Sequence, residues 1–281
     1  MKVSYFVTDK FSNVFRCNFA KEQEEYSSFV TRTLEVGAKC GKPCVRIDID
    51  EDEQSCTLEE VTYDSLCAFD GLPHGEQGTR SMVLTSLIMC KFLVPSLRSF
   101  SFQDDAELTQ TRTSPPICLA DYFLLTRGQT WYTLFLQCEP LNTIQKDIYK
   151  SFLQKMHSIL DMSESAVLKI YGSSVLALYL QCQQESTSLM EYHRRLFETF
   201  PRLKHNSFFK KLIAFHSGDT IKSFHGWTWS GNIDSIDKST VKRIESKPWE
   251  SLFHVHGGGN QIMSPPYISR RRRLVLTVDE L

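Results

Sequence analysis

A mostly apolar segment constrains the fold of this chain more than any other feature. It reads TRSMVLTSLIMCKFLV and covers residues 79–94. A helix that is apolar on all sides belongs in a protein interior, because a surface helix keeps one polar face. We therefore expect this helix to lie deep in the core. Pro95, which cannot continue a helix, should end it.

Strands are predicted on both sides of this helix. CVRIDIDED, residues 44–52, alternates apolar and charged residues, as a half-buried strand does. CTLEEVTYDSLCAF, residues 56–69, predicts one or two further strands, and SLRSFSFQ, residues 96–103, alternates again. Strand, loop, helix and strand in this order predict a βαβ unit.

The other N-terminal segments predict a hairpin and two more helices. KVSYFVT and VFRCNF flank the polar DKFSN, which favours a β-hairpin over residues 2–19. EYSSFVTRTLEVGAKCG, residues 25–41, is interpreted as a helix with Leu34 and Val36 facing inward. PICLADYFLLTRG, residues 116–128, predicts a helix that its final glycine stops.

The pattern changes near residue 141, where successive helices with short polar breaks are predicted. The helical segments are NTIQKDIYKSFLQKMHSIL, SAVLKIYGSSVLALYLQCQQ, LMEYHRRLFETF and SFFKKLIAF. The predicted fold is α/β, a mixed sheet followed by a mostly helical extension. We expect an N-terminal α/β domain over residues 1–140 and a mostly helical region with a basic tail over 141–281.

The loop LPHGEQGT, residues 72–79, leads into the long helix and allows two interpretations. Backbone N–H groups at the start of a helix lack partners within the helix and bind anions. Glycines let the backbone approach a pyrophosphate closely, and Thr79 could cap the helix. A plain turn with a helix cap fits the same residues.

The loop, the helix and the following strand resemble the cofactor-binding segment of the GNAT-type N-acyltransferases. In that family a loop with the pattern (Gln/Arg)-x-x-Gly-x-(Gly/Ala) cradles the pyrophosphate of coenzyme A. The resemblance implies a GNAT-like core in which Gly75, Gln77, Gly78 and Thr79 bind this cofactor. Glu76 stands at the central glycine position of the pattern. Its carboxylate would repel the phosphates in a dry pocket.

A second resemblance covers residues 97–138. This segment is similar to one in uncharacterised proteins of large eukaryotic DNA viruses, where a strand ending in an acidic turn precedes a helix and Gly-(Lys/Gln)-Thr-Trp-Tyr. The matching residues are Asp104, Asp105, Leu119, Gly128, Gln129, Thr130, Trp131 and Tyr132. The resemblance implies a viral origin and no particular activity.

Tyr132 is the candidate catalytic residue that the acyltransferase resemblance implies. In GNAT-type enzymes a tyrosine after the corresponding strand can protonate the departing thiolate. A core aromatic side chain fixed by packing is the alternative interpretation of Tyr132. No Gly-x-Ser-x-Gly nucleophile motif occurs in the chain.

Metal-ligating residue types occur in two groups, each with a structural alternative. Asp48, Asp50 and Asp52 on one side of a strand offer oxygen ligands for Mg²⁺ or Ca²⁺, although a solvated strand face explains them as well. The residue types of a zinc site occur at Cys40, Cys44, His254 and His256. The two pairs lie more than 200 residues apart, so we expect no metal and no cofactor unless the coenzyme A alternative holds.

Charge and cysteine content bear on partners and location. The net charge of −1 gives no general case for nucleic acid or an anionic membrane. Nine cysteines, with no apolar secretory run in MKVSYFVTDK, favour reduced thiols in the cytoplasm or nucleus. The resemblance to viral proteins implies that this is the cytoplasm or nucleus of an infected host cell. Packaging in the virion is left open. No stretch reaches 18 apolar residues, so we expect no membrane span.

Two segments near the C-terminus are candidate binding surfaces. The run Arg270, Arg271, Arg272 and Arg273 could meet an acidic protein partner or nucleic-acid phosphates. These charges could equally protect an edge strand from aggregation. In GWTWSGN, residues 226–232, Trp227 and Trp229 could stack on a base or form a packed corner.

The residues above, together with the two resemblances, imply two functions of different classes. The first is a non-catalytic viral protein on a GNAT-like scaffold, acting in assembly or host-factor binding through a protein partner. The second is a coenzyme A-dependent N-acyltransferase, which works mainly by positioning an amine against a thioester. Glu76 and the lack of an evident base for the amine favour the first.

Overall fold

The computed structural model shows a mixed α/β chain. It describes residues 2–11, 14–23, 30–37, 43–61, 76–109, 116–247 and 275–277. The strands are β1 (Lys2–Asp9), β2 (Val14–Gln23), β3 (Val30–Gly37), β4 (Pro43–Asp50), β5 (Ser55–Val61), β6 (Ser99–Gln103), β7 (Glu107–Thr109), β8 (Ile117–Cys118), β9 (Glu139–Pro140), β10 (Thr228–Asn232), β11 (Val241–Lys247) and β12 (Val275–Thr277). The helices are α1 (Glu76–Leu93), α2 (Leu119–Arg127), α3 (Trp131–Leu136), α4 (Thr143–His157), α5 (Glu164–Tyr171), α6 (Leu176–Gln184), α7 (Leu189–Thr199) and α8 (Asn206–His216).

The chain forms two compact units. Unit 1 comprises residues 1–103 and 231–281, and unit 2 comprises residues 104–230. This grouping differs from the predicted division at residue 140, because the last part of the chain returns to the unit built by the first part. Domains at 1–140 and 141–281 stay a prediction.

Unit 1 is built on a mixed sheet in which β11, β1, β2, β3, β4, β5 and β6 are neighbours in that order. Strands β1 to β5 and the β1–β11 pair are antiparallel. Strands β5 and β6 are parallel, and α1 connects them. The predicted hairpin and the predicted βαβ unit are both confirmed.

The helix predicted over residues 25–41 is wrong where the structure describes the chain. Residues 30–37 form β3, which pairs with β2 on one side and β4 on the other. Leu34 and Val36 are both fully buried, and a spacing of two places side chains on one face of a strand. Pairing on both edges outweighs the local helical preference of this segment.

Helix α1 confirms the main expectation from the apolar segment. Met82, Leu87, Met89 and Cys90 are fully or almost fully buried, and so are the hydroxyl-bearing residues between them. Ser86 Oγ donates to its own helix, to the carbonyl oxygen of Met82 at 2.8 Å, which removes the cost of burying this hydroxyl. Among the residues that the structure describes, no helix has both the length and the apolar character needed to cross a membrane.

Unit 2 contains the predicted helices α4, α5, α6, α7 and α8. The segment interpreted as one helix over SAVLKIYGSSVLALYLQCQQ is two helices, because Gly172 ends α5 with a positive φ of 87°. The helical region ends at His216, and the chain then enters β10. The mostly helical extension is thus confirmed for residues 143–216.

Candidate functional site

The parallel strands β5 and β6 of unit 1 are paired over only part of their length. Their ladder pairs three residues of each strand, from Ser55 with Ser99 to Thr57 with Ser101. Strand β5 then continues to Val61 and β6 to Gln103 without further pairing between these two described strands. The carboxyl ends of parallel strands are where α/β sheets bind ligands.

A β-bulge lies at this end of β5. Its pairing with β4 shifts between Arg46, which faces Glu60, and Ile47, which faces Leu58. Glu59 is therefore the extra residue, and a bulge bends its strand locally. The bulge and the short parallel ladder therefore lie on the same strand, near the end at which the chain leaves β5.

The predicted cofactor residues lie at or before the start of α1. Gly75 lies outside the described residues, and Gln77 and Gly78 belong to the first turn of the helix. Thr79 is the fourth helical residue and is fully buried, so its predicted role as N-cap is wrong. The helix begins three residues earlier than the apolar pattern does. Cofactor binding by these residues stays a prediction.

Acidic residues accumulate on the same segments. Glu59 is exposed and Glu60 is half-buried at the carboxyl end of β5, and Glu76 is the first residue of α1. A coenzyme A pyrophosphate carries negative charge, and like charges at close range are unfavourable. These acidic residues therefore disfavour a coenzyme A pyrophosphate at either segment.

Tyr132, the candidate general acid, is enclosed in unit 2. Its side chain is 4% exposed, and its hydroxyl donates a hydrogen bond to Asp104 Oδ1. The ring centroid lies 5.8 Å from that of Trp131 and 5.5 Å from that of Trp229. This environment matches the alternative interpretation of a core aromatic residue.

The sequence motif before Tyr132 forms a tight junction between two helices. Gly128 ends α2 in the left-handed region at φ 66°, and its N–H donates to Leu124 at 3.1 Å. A Cβ on Gly128 would lie 2.7 Å from the ring of His157, so only glycine fits without movement. Thr130 then caps α3, since its Oγ1 accepts from the N–H of Thr133 at 3.2 Å. The motif therefore has a structural explanation.

Asp104 is the most unusual carboxyl group in this region. It is fully buried, and its Oδ1 also accepts from the N–H of Ala106 at 3.0 Å. Its Oδ2 has no hydrogen-bond partner among the described residues. Burial raises the pKa of Asp104 to about 7, although the Tyr132 hydrogen bond opposes this shift. The pKa of Tyr132 is raised well above its usual value, mainly by burial and also by this carboxyl group.

Asp121 is a second buried carboxyl group in unit 2. Its Oδ2 accepts from Ser223 Oγ at 2.6 Å, and its Oδ1 accepts from the N–H of Phe224 at 2.8 Å. Burial raises the pKa of Asp121, and these two hydrogen bonds oppose the rise. Asp121 thus fixes residues 223–224 against helix α2.

A buried tyrosine hydroxyl lies between two histidine rings in unit 2, a contact that no sequence motif indicates. The Tyr171 hydroxyl lies 2.8 Å from His193 Nε2 and 3.2 Å from His216 Nε2. One hydroxyl can donate to only one imidazole, so the other imidazole must donate to it. Burial holds the pKa of His193 well below its usual value and lowers that of His216 to about 3. Both rings are therefore neutral, and the three helices α5, α7 and α8 share one polar contact in their core.

The remaining predicted sites are the tryptophan pair, the strand aspartates, the cysteine and histidine pairs, and the arginine run. Trp229 is fully buried and Trp227 is 9% exposed, which confirms the packed corner. Asp50 Oδ1 accepts from the N–H of Glu53, as a turn residue does. Outside the described residues lie Cys40, His254, His256 and the four arginines Arg270, Arg271, Arg272 and Arg273.

Comparison with known proteins identifies no relative. No protein-family model, no curated protein and no solved structure matches this chain. The mixed α/β fold is what the structure itself establishes. The GNAT-like core and the viral family stay predictions.

Proposed function

We propose that this chain is a non-catalytic protein of a large DNA virus, which uses a GNAT-like scaffold to bind a viral or host protein. The observation that supports this function best is the enclosure of Tyr132, the one residue to which a catalytic role was assigned. Its hydroxyl is bonded to a buried carboxyl group and has aromatic rings around it. A proton donor needs hydrogen-bond reach to a substrate atom, which this environment does not provide. The proposed location is the cytoplasm or nucleus of the infected cell.

An exposed apolar pair in unit 2 supports partner binding. Leu141 is 57% exposed and Ile144 is 71% exposed, three positions apart at the start of α4. Asn142 between them is occupied as the helix cap, since its Oδ1 accepts from the N–H of Ile144 at 2.9 Å. Neighbouring exposed apolar side chains are typical of protein-binding surfaces. We add this pair to the predicted contact at Arg270–Arg273.

Co-purification of the full chain from infected cells tests this function. Changing Leu141→Ser together with Ile144→Ser should lower the recovery of a stable partner at least tenfold, because the buried apolar contact is lost. Neutralising the four arginines 270–273 with glutamine should also lower it. Leu168→Ser is the matched control, since Leu168 is 43% exposed on α5, away from both segments in sequence. Recovery of the chain alone, or equal recovery with all variants, would contradict the proposal.

A coenzyme A-dependent N-acyltransferase is the second candidate. The short parallel ladder of β5 and β6, the bulge at Glu59 and the connecting helix α1 favour it. The carboxyl end of a parallel strand and the start of a helix are both positions at which proteins bind phosphorylated ligands. The residues proposed for coenzyme A are Gly75, Gln77, Gly78 and Thr79.

Acetyl-CoA should raise the melting temperature if this second function is right. Ligand at 100 times its dissociation constant stabilises a protein by about 2.7 kcal/mol, which corresponds to several degrees. Gly78→Asp should abolish the rise, and Glu76→Gln should enlarge it because a repulsive carboxylate is removed. Circular dichroism of each variant without ligand controls for folding. No shift at millimolar acetyl-CoA would exclude this candidate.

A further inference from the structure

Two buried aspartates hold the segment 223–227 of unit 2, and we call this arrangement the aspartate clamp. Asp121 provides one half, because its carboxyl group accepts hydrogen bonds from Ser223 and Phe224. Asp104 provides the other half through its main chain. Both halves lie in the interior, since the two aspartates are each fully buried.

The main chain of Asp104 pairs with the end of this segment. The N–H of Gly226 donates to the Asp104 carbonyl oxygen at 2.6 Å, and the N–H of Asp104 donates to the Trp227 carbonyl oxygen at 2.9 Å. The Trp227 ring packs on Phe224, with 4.7 Å between ring centroids. The position of the Asp104 backbone therefore fixes the segment, and the Asp104 side chain fixes that backbone.

The surroundings of Asp104 disfavour a charged carboxylate. Its hydrogen-bond donors are the Tyr132 hydroxyl from α3 and the N–H of Ala106, and it interacts electrostatically with Asp121 and Cys118 at the start of α2 and with the neighbouring Asp105. His225 belongs to the segment, and its Nε2 atom lies 3.8 Å from Asp105 Oδ1. Its ion-pair partner is therefore Asp105 and not Asp104. An ionised Asp104 would need solvation at Oδ2, which has no partner among the described residues.

We propose that protonated Asp104 keeps the aspartate clamp closed and that ionised Asp104 opens it, so that segment 223–227 is released as the pH rises through neutrality. Opening exposes Oδ2 to water, and water replaces the two main-chain hydrogen bonds that the segment loses. Closing transfers one proton from solvent to the carboxylate. The inference concerns unit 2 alone and does not depend on the proposed binding function.

Hydrogen–deuterium exchange of the full chain tests this switch. After correction for intrinsic exchange rates, a peptide covering residues 220–230 should lose protection about tenfold between pH 6 and pH 8, because opening then includes ionisation of Asp104. In Asp104→Asn the protection of this peptide should not change with pH, since asparagine does not titrate. Asp105→Asn is the matched control and should keep the tenfold loss. A peptide from α7 gives the reference for global opening.

Two results would overturn the inference. One is equal corrected protection of residues 220–230 at both pH values in the unaltered chain. The other is the same pH-dependent loss in Asp104→Asn. If Asp104→Asn does not fold, Tyr132→Phe replaces it. Loss of the hydrogen bond that stabilises ionised Asp104 in the closed clamp should make the loss of protection between pH 6 and pH 8 larger than in the unaltered chain, and an equal or smaller loss would also overturn the inference.

Discussion

Replacing Trp229 with alanine should lower the free energy of unfolding of unit 2 by about 3–5 kcal/mol. The side chain is fully buried, and its ring centroid lies 5.2 Å from that of Tyr149 and 5.5 Å from that of Tyr132. Alanine would leave a cavity between these rings, because a packed interior collapses only partly around a lost side chain. Urea denaturation followed by far-ultraviolet circular dichroism measures the loss.

Two further variants are the controls for Trp229→Ala. Trp229→Phe should cost much less than alanine, because it keeps an aromatic ring and the Trp229 Nε1 group has no partner among the described residues. Phe215→Ala, at a side chain that is 40% exposed, should change stability little. A Trp229→Ala loss below about 1 kcal/mol would be inconsistent with the packed aromatic core, since buried Trp→Ala changes are typically several-fold larger.

His216→Gln should make unit 2 more stable than the unaltered chain in acid, by about 3 kcal/mol at pH 4.5 relative to pH 7.5. Burial lowers the pKa of folded His216 to about 3, and the neighbouring Lys155 charge adds to this. The unfolded imidazole binds a proton below about pH 6.5. The stabilisation from neutral His216 is therefore present above pH 6.5 and is lost as the pH falls toward 3. Glutamine does not titrate, and its amide can donate to or accept from the Tyr171 hydroxyl, whichever role the imidazole has.

The difference in unfolding free energy between variant and unaltered chain is the quantity to measure. Asp104 acts in the opposite direction, because its folded pKa of about 7 gives stability that is present at low pH and is lost as the pH rises toward 7. The two contributions offset one another in the unaltered chain, and the difference isolates His216. His205→Gln, at the half-buried N-cap of α8, is the control for replacing a histidine elsewhere in unit 2. A pH-independent difference for His216→Gln would show that this imidazole is not neutral in the folded state.

The sequence predicted the elements whose signal is local. Residues 79–94 are too apolar for a surface helix, and this local pattern favours burial, so α1 and the flanking strands β5 and β6 were predicted correctly. Residues 30–37 carried a weaker signal. The neighbours β2 and β4, which make this segment a strand, are contacts that a local pattern does not contain.

The side-chain contacts of unit 2 could not be predicted in the same way. Asp104 and Tyr132 are 28 residues apart, and their hydrogen bond depends on how α2 and α3 return the chain toward residue 104. The contact among Tyr171, His193 and His216 joins three separate helices. Each histidine lay within an apolar helical pattern, which marks a buried position but not its partner.

The pairing of β1 with β11 has a consequence for how the chain is made. Val7 pairs with Ile244, so β1 leaves the ribosome long before its partner, which is synthesised more than 230 residues later. At about 5–20 residues per second this delay is on the order of 10–50 s. During that time one edge of the nascent hairpin is unpaired and open to wrong strand partners, while all of residues 104–230 emerge and can already fold. Productive biogenesis therefore favours completion of the inserted unit before the sheet closes around its last strand.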